Sequence, residues 1–274
     1  ERKYTVTYNH NYTGSTNTTR TATYTFNGWA TSASGAKAYN NSQSVTNLSN
    51  TNGATVTLYA NWSSASVSYT PSRTGYIFGG WYKEAACTNK ISDATYTPAG
   101  NITVYAKWTP ITYTVTYNGN GATSGSTANS SHTYNEAKAL TANGFERKYT
   151  VTYNHNYTGS TNTSRTATYT FNGWATSASG AKTYDDKQSV KNLSSLNGAT
   201  VTLFANWSSA SVNYAPSRTG YIFGGWYKEA ACTNKVSDAA YTPTSNITVY
   251  AKWTPIAYTV TYNGNGATGG STAN

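Results

Sequence analysis

The stretch ERKYTVTYNHNYTGSTNT stands at Glu1 and returns at Glu146, and the residues that follow each copy are nearly identical over a period of 145 residues. Such a period constrains the fold before any single motif does, because whatever packs once must pack again and each copy must find its partners within its own repeat or a neighbouring one. A shorter pattern is nested inside. Phe26-Asn-Gly-Trp29 is followed 33 residues later by the end of Tyr-Ala-Asn-Trp62, and Phe78-Gly-Gly-Trp81 27 residues later by the end of Tyr-Ala-Lys-Trp108. The second copy has Trp174, Trp207, Trp226 and Trp253 in the same places, so each long period holds two Trp-bounded modules. The hexapeptide YTVTYN starts at Tyr4, Tyr113, Tyr149 and Tyr258, at spacings of 109, 36 and 109 residues. The array starts and stops inside its own repeat, and the expectation from this phase is a segment of a longer tandem protein.

The periodicity within modules is that of strands. Ile102, Val104, Ala106 and Trp108 alternate with Thr103, Tyr105 and Lys107, and Val56, Leu58, Ala60 and Trp62 with Thr57, Tyr59 and Asn61, which predicts strands with one apolar and one wet face. In YTVTYN, Tyr4, Val6 and Tyr8 share one face while Thr5 and Thr7 share the other. Ala22, Tyr24 and Phe26 alternate with threonines after a turn-rich stretch, so residues 2–30 read as one long hairpin. Phe26 and Trp29 are an odd number of residues apart. A glycine bulge at Asn27-Gly28, and another at Gly79-Gly80, returns the Trp to the face of the Phe; a tight turn at Asn27-Gly28 is the alternative.

The two copies differ chiefly in residues 38–51 against 183–196, where Asn40, Asn41, Ser42 and Thr46 become Asp185, Asp186, Lys187 and Lys191, and in residues 91–100. Exchanges of charge are tolerated on solvated loops and costly in a core, so both stretches are expected at the surface. Aromatic residues make up 15% of the chain. A module of 50 to 60 residues buries little, and each Trp or Tyr adds on the order of 150–250 Å², so the Tyr enrichment is first a core argument.

Three strings together resemble a known family: TYTVTYNGNGATSG from Thr112 to Gly125, RTGYIFGGWYKEAACTNK from Arg73 to Lys90, and NITVYAKW from Asn101 to Trp108. They are similar to the Listeria-Bacteroides repeat, the B-repeat of internalins, found in tandem in bacterial surface proteins. The resemblance implies a mostly β, β-grasp-like fold of small modules in an elongated array, display on the bacterial cell surface, and a spacer or binding role in adhesins. It implies no catalytic residue. The expected organisation is residues 1–63 as the latter part of a long unit, 64–110 a short unit, 111–207 a complete long unit, 208–255 a short unit and 256–274 the start of the next. This chain departs from the simple pattern where NGFERKYTVTYNHNY enters the long unit, and where 64–110 lacks a leading YTVTYN. A module missing a strand has an open edge, and neighbouring modules are expected to complete each other's sheets.

Sites for chemistry are scarce. Cys87 and Cys232 occur once per period, which leaves no disulfide within a period and predicts small buried thiols, with pairing between molecules the alternative. His10, His132 and His155 lie in Asn-, Ser- or Thr-rich stretches without a second ligand at metal spacing, and are expected to be solvated turn residues. One of Glu84 and Asp93, equivalent to Glu229 and Asp238, would be the proton shuttle for an intramolecular Lys–Asn isopeptide crosslink; a surface Lys83–Glu84 pair is the simpler expectation. Asp185-Asp186 exists in one copy alone, which argues against a calcium loop. Asn118-Gly-Asn-Gly121 reads as a strand exit rather than a phosphate cradle. No catalytic, metal or cofactor residue is expected, and no enzyme.

Lys and Arg number 19 against 9 Asp and Glu, a net charge of +10, which favours an anionic partner. The cations are dispersed, and no nucleic-acid reading motif accompanies them. No run approaches the ~18–20 apolar residues of a spanning helix. Two function classes remain. One is a stalk that projects a distal head. The other is a binding module whose basic, Tyr-bearing face engages anionic wall polymer, glycosaminoglycan or a host receptor. Self-association through sheet edges into a fibre is a variant of the first.

Overall fold

The computed structural model describes residues 1–273, and among them every regular element is a strand. The chain divides into two compact units. One comprises Glu1–Tyr113 with His132–Glu136 and Lys191–Ala199; the other comprises Thr114–Ser131, Ala137–Val190 and Thr200–Asn274.

In the first unit, Arg2–Asn9 pairs antiparallel with Thr18–Tyr24, from Arg2 opposite Tyr24 to Tyr8 opposite Thr18. The same Arg2–Asn9 strand lies parallel to Ile102–Pro110, with Val6 opposite Ile102 and Tyr8 opposite Val104. Ile102–Pro110 then pairs antiparallel with Tyr76–Tyr82, and that strand with Lys90–Ser92. The resulting five-stranded sheet has the β-grasp-like order in which a module's first and last strands are parallel neighbours. Parallel neighbours require a long crossover, here residues 10–101. The lead hairpin thus supplies the strand that 64–110 lacks.

The second unit repeats this arrangement. Phe145–Asn154 pairs with Thr163–Tyr169 and lies parallel to Ile247–Pro255, with Val151 opposite Ile247. A further parallel pair sits in the same unit, where Thr114–Asn118 runs beside Thr200–Phe204 and Phe171–Ala175 lines the far side of Thr200–Trp207. The order of strands along the chain is therefore interlaced. The lead strand at 112–118 is followed by the lead strand of another module at 145–154, and their partners follow in the same order at 200–207 and 247–255.

Core formation explains the alternation. Val6, Tyr8, Trp81, Val104 and Ala106 form the buried cluster, covered by Val67, Tyr69, Phe78, Tyr96 and Trp108. The equivalent cluster holds Val151, Tyr153, Trp226, Val249 and Ala251. The long hairpin expected over 2–30 ends at Tyr24. Phe26–Ala30 leaves that sheet and pairs with Tyr59–Trp62, where Phe26 packs on both Trp29 and Trp62. The bulge, not the turn, occurs at Asn27-Gly28: the register shifts between Phe26 and Gly28, and the two rings meet edge-on at 5.2 Å. Gly28 has φ 142° and its position cannot hold a Cβ, which would collide with the Tyr39 carbonyl.

Of the stretches expected at the surface, residues 40–51 are exposed throughout, whereas Val190 in the second copy is buried and residues 91–100 are mixed, with Pro98 buried.

Candidate functional site: the strand-docking groove

Three of the four Trp-bounded modules hold a groove that receives a YTVTYN strand. Its floor is a Trp. Tyr8 lies 4.7 Å from Trp81 between ring centroids, Tyr117 4.7 Å from Trp174, and Tyr153 4.6 Å from Trp226. These tilted contacts each contribute about 0.5–1.5 kcal/mol beyond the area they bury. The second Trp of each of these modules ties the strand by its indole N–H: Trp108 Nε1 donates to the His10 carbonyl at 2.7 Å, Trp253 Nε1 to the His155 carbonyl at 2.7 Å, and Trp207 Nε1 to the Gly119 carbonyl at 3.0 Å. In each case the acceptor lies just past the docked hexapeptide.

A second lock follows two residues beyond the hexapeptide's Asn. Asn11, Asn120 and Asn156 all take positive φ, 58°, 47° and 59°, and each backbone N–H donates to the side chain of the Asn two positions earlier at 2.8 Å. This Asx turn aims the Nδ2 group at the partner module. Asn11 donates to the Ala85 and Ala106 carbonyls at 3.0 and 3.2 Å, Asn120 to Ala178 and Ala205 at 2.8 and 2.9 Å, and Asn156 to Ala230 and Ala251 at 2.9 and 3.2 Å. A third tie holds the other end, where Thr5 N–H donates to Asn101 Oδ1 and Thr150 N–H to Asn246 Oδ1, both at 2.8 Å. Sequence reasoning took Asn118-Gly-Asn-Gly121 as a strand exit and missed the clamp. The signal was there, as Asn-x-Asn after every YTVTY.

Several expectations are corrected. His132 is buried, 1% exposed, and stacks on Tyr113 at 5.6 Å. His10 and His155 are half-buried, with Nε2 within 3.1 and 3.0 Å of the Tyr69 and Tyr214 hydroxyls. Polar neighbours in the sequence had suggested solvation, whereas the imidazoles pack as aromatic rings. Glu84 does not pair with Lys83. Its Oε1 accepts from Thr88 N–H at 2.8 Å, Thr88 Oγ1–H at 2.6 Å and Asn89 N–H at 2.7 Å, closing its own turn. Asp93 and Asp238 pair instead with Lys90 and Lys235. Cys87 and Cys232 are free and half-buried, their thiol pKa raised by burial above all. Asp186 accepts from Asn143 N–H at 2.8 Å and Asp185 pairs with Lys182 at 2.7 Å. Lys37 donates to Asn40 Oδ1 at 3.0 Å on an exposed loop; the second copy makes an ion pair there, an arrangement unlike a shared isopeptide site.

The Glu84 turn gives a pH prediction. The Thr88 hydroxyl first, then the Asn89 and Thr88 amides, hold the carboxyl at about 2, against 4.5 without them, and Glu229 is held likewise by Thr233 and Asn234. A depressed folded pKa stabilises above the unfolded value and loses that contribution as pH falls through the folded one. Amide protection at 88–89 and 233–234 is expected to hold down to about pH 4.5 and fade toward pH 2. Glu84→Gln and Glu229→Gln should flatten that acid limb in hydrogen exchange, and an unchanged limb would remove the carboxylate from the account.

The basic residues are largely engaged. Arg73 sits 3.7 Å above the Tyr76 ring and 4.4 Å above Tyr12, and Arg218 repeats this on Tyr221 and Tyr157 at 3.7 and 4.5 Å. Arg2, Arg20, Arg147 and Arg165 also lie over tyrosine rings, so all six arginines serve cation–π packing of the modules. Among the described residues, no group of three or more His, Cys, Asp and Glu is placed to hold a metal, and no helix is long and apolar enough to cross a membrane.

Comparison with known proteins agrees with this geometry. The Listeria-Bacteroides repeat domain matches residues 2–61, 50–107, 113–206 and 195–252. Two relatives come from Evansella cellulosilytica. One, named "Putative membrane protein", is 25% identical over 205 residues, covering 71% of this chain and 29% of the relative. The other, named "Putative Gly-rich membrane protein", is 24% identical over 221 residues, covering 72% and 22%. The chain thus spans less than a third of the length of either relative. With four tandem matches reaching across most of its residues, the chain belongs to the Listeria-Bacteroides repeat family of bacterial surface proteins.

Proposed function

We propose that this segment is a non-catalytic, tension-bearing stalk of a bacterial cell-surface adhesin, acting by length and stiffness to project a distal head. The observation that carries the reading is the parallel pairing of first and last strands in each complete module, Val6 with Ile102, Thr114 with Thr200 and Val151 with Ile247. Force applied at the two ends of such a module enters the first strand at its start and leaves the last strand at its end. Parallel neighbours are then sheared, and every ladder bond loads together. An antiparallel hairpin pulled from its open end loses its bonds one at a time.

Pulling the chain by its termini tests this. Discrete rupture peaks are expected, the module from Tyr149 to Pro255 releasing about 350 Å of chain at ~3.3–3.6 Å per residue. Featureless extension would overturn the stalk reading, since forced unfolding is governed by the unfolding rate. A second reading, capture of anionic wall polymer, glycosaminoglycan or a host surface protein, is favoured by the net charge of +10. Salt-dependent retention on heparin or teichoic acid, above that of a charge-matched control, is its mark.

A further inference from the structure

We infer that Arg73 and Arg218 each hold the carboxylate of an acidic, uronate-bearing polysaccharide, a site that rests on the second reading above, capture of an anionic polymer. Arg73 opens a tight turn. Tyr76 N–H donates to the Arg73 carbonyl at 3.1 Å and Gly75 takes φ 76°, the conformation that a type II turn needs at its third residue. The Gly75 carbonyl in turn accepts from Ile111 N–H at 3.0 Å. The second copy repeats each part, with Tyr221 N–H donating to Arg218 at 3.1 Å, Gly220 at φ 76° and Ile256 N–H donating to Gly220 at 2.9 Å. A turn tied twice holds the arginine and the ring beneath it in a fixed relation, which lowers the ordering cost of binding.

The guanidinium is only half used. Stacking on Tyr76 at 3.7 Å and Tyr12 at 4.4 Å, or on Tyr221 and Tyr157 at 3.7 and 4.5 Å, engages the faces of the planar group and leaves its N–H edge. Among the described residues no acceptor or carboxylate meets that edge in Arg73 or Arg218, and it reaches solvent in both. Arg2, by contrast, donates Nε to the Tyr4 hydroxyl, and Arg147 Nε is buried. The first copy is seen with the residues that follow its module and the second with those that precede it, so neither flank supplies an acceptor. Arg73 lines a cleft of about 440 Å³ with Ser72, Tyr76, Phe78, Trp108 and Ser195, and no Asp or Glu is among its lining residues. Aromatic walls with a few hydroxyls and one cation are the make-up of a small-ligand site. The rings suit the C–H faces of a pyranose, and the serines its hydroxyls. A planar carboxylate matches the fork with two parallel N–H···O bonds, whereas no second cation lines the cleft to meet the further oxygens of a phosphate. Lysine charge is less available, since Lys3, Lys90, Lys148, Lys182 and Lys235 are each paired with a carboxylate. An acidic polysaccharide presents its carboxylate repeatedly, so one site per period lets a chain bind with avidity.

The test titrates the whole chain with D-galacturonate and with neutral galactose, following the arginine Nε–H signals by NMR, and measures retention on immobilised polygalacturonate at one fixed ionic strength. The Arg73 and Arg218 signals are expected to shift with galacturonate and not with galactose, while that of Arg20, on an exposed strand position, stays in place. Arg73→Lys with Arg218→Lys, which keeps the charge and removes the fork, should weaken polygalacturonate binding about tenfold or more. Lys83→Gln with Lys228→Gln, two exposed cations outside the cleft lining, should leave it within about twofold. Retention that the double arginine variant keeps would overturn the site and leave capture of an anionic polymer standing. Equal shifts with galactose, or arginine-dependent binding to polyglycerol phosphate and not to polygalacturonate, would overturn the carboxylate. No retention of the parent chain on either polymer would remove both the site and the reading beneath it. None of these outcomes bears on the rupture forces that test the stalk.

Discussion

Residues 64–110 expressed alone are expected to be unfolded, and a chain of residues 1–110 to fold cooperatively. The fragment has 47 residues, near the size below which a single core rarely sustains itself. Its own apolar groups, Trp81, Val104 and Ala106, form only part of the buried cluster. Val6 and Tyr8, both 0% exposed, complete it. Burying Val6 stabilises by about 1.5–3 kcal/mol, and Tyr8 removes on the order of 150–250 Å² from water. Losing both, with one side of the Ile102–Pro110 ladder and the Asn11 clamp, exceeds what so small a module holds in reserve. Far-UV and tryptophan near-UV circular dichroism against temperature decide the matter. A sharp transition in 64–110 by itself would sink the claim that the lead hairpin is part of that module.

Trp174→Ala should cost about 3–5 kcal/mol, the usual loss for a fully buried Trp, while Trp29→Ala should cost clearly less. The two residues sit at the same place in their repeats, within FNGWATSASGAK in both copies. Trp174 is 0% exposed beneath Tyr117 and packs on Phe171 at 4.9 Å and Phe145 at 6.4 Å. Trp29 keeps the Phe26 contact but, among the described residues, has no docked tyrosine above it. Amide exchange at Phe171–Ala175 and Phe26–Ala30, read module by module because a multi-module chain does not unfold in one step, separates the two costs. Equal losses would mean that the docked strand adds nothing to its groove.

Much of the fold was legible. Alternation in NITVYAKW placed Val104 and Ala106 inside and Thr103 and Lys107 outside, as found. The odd Phe–Trp spacing pointed to glycine bulges, since an extra residue returns both rings to one face, and left a tight turn at Asn27-Gly28 open until the register shifts decided. The hairpin expected to run to residue 30 failed at Tyr24, since alternation continues through Phe26 and carries no sign that the chain changes sheets. The histidines failed for a related reason. Composition reports the polarity of neighbours along the chain, and His132 is buried against Tyr113, which is not among them. The Asn clamp was visible as a pattern, but its acceptors, Ala85 and Ala106, lie 74 and 95 residues away.

By itself the sequence determined that the chain is built from strands, which face of each is apolar, and that the plan repeats every 145 residues, because these follow from side-chain alternation and identity. Only the tertiary structure decided which strands meet. TVTLFANW at Thr200–Trp207 is a strand throughout, whereas the nearly identical TVTLYANW at 55–62 is strand only from Tyr59. YTVTYN is buried at Tyr113 and exposed at Tyr258. Local propensity is the same in each pair. The difference is the parallel neighbour, whose ladder bonds and buried Tyr and Val convert a compatible sequence into an ordered strand.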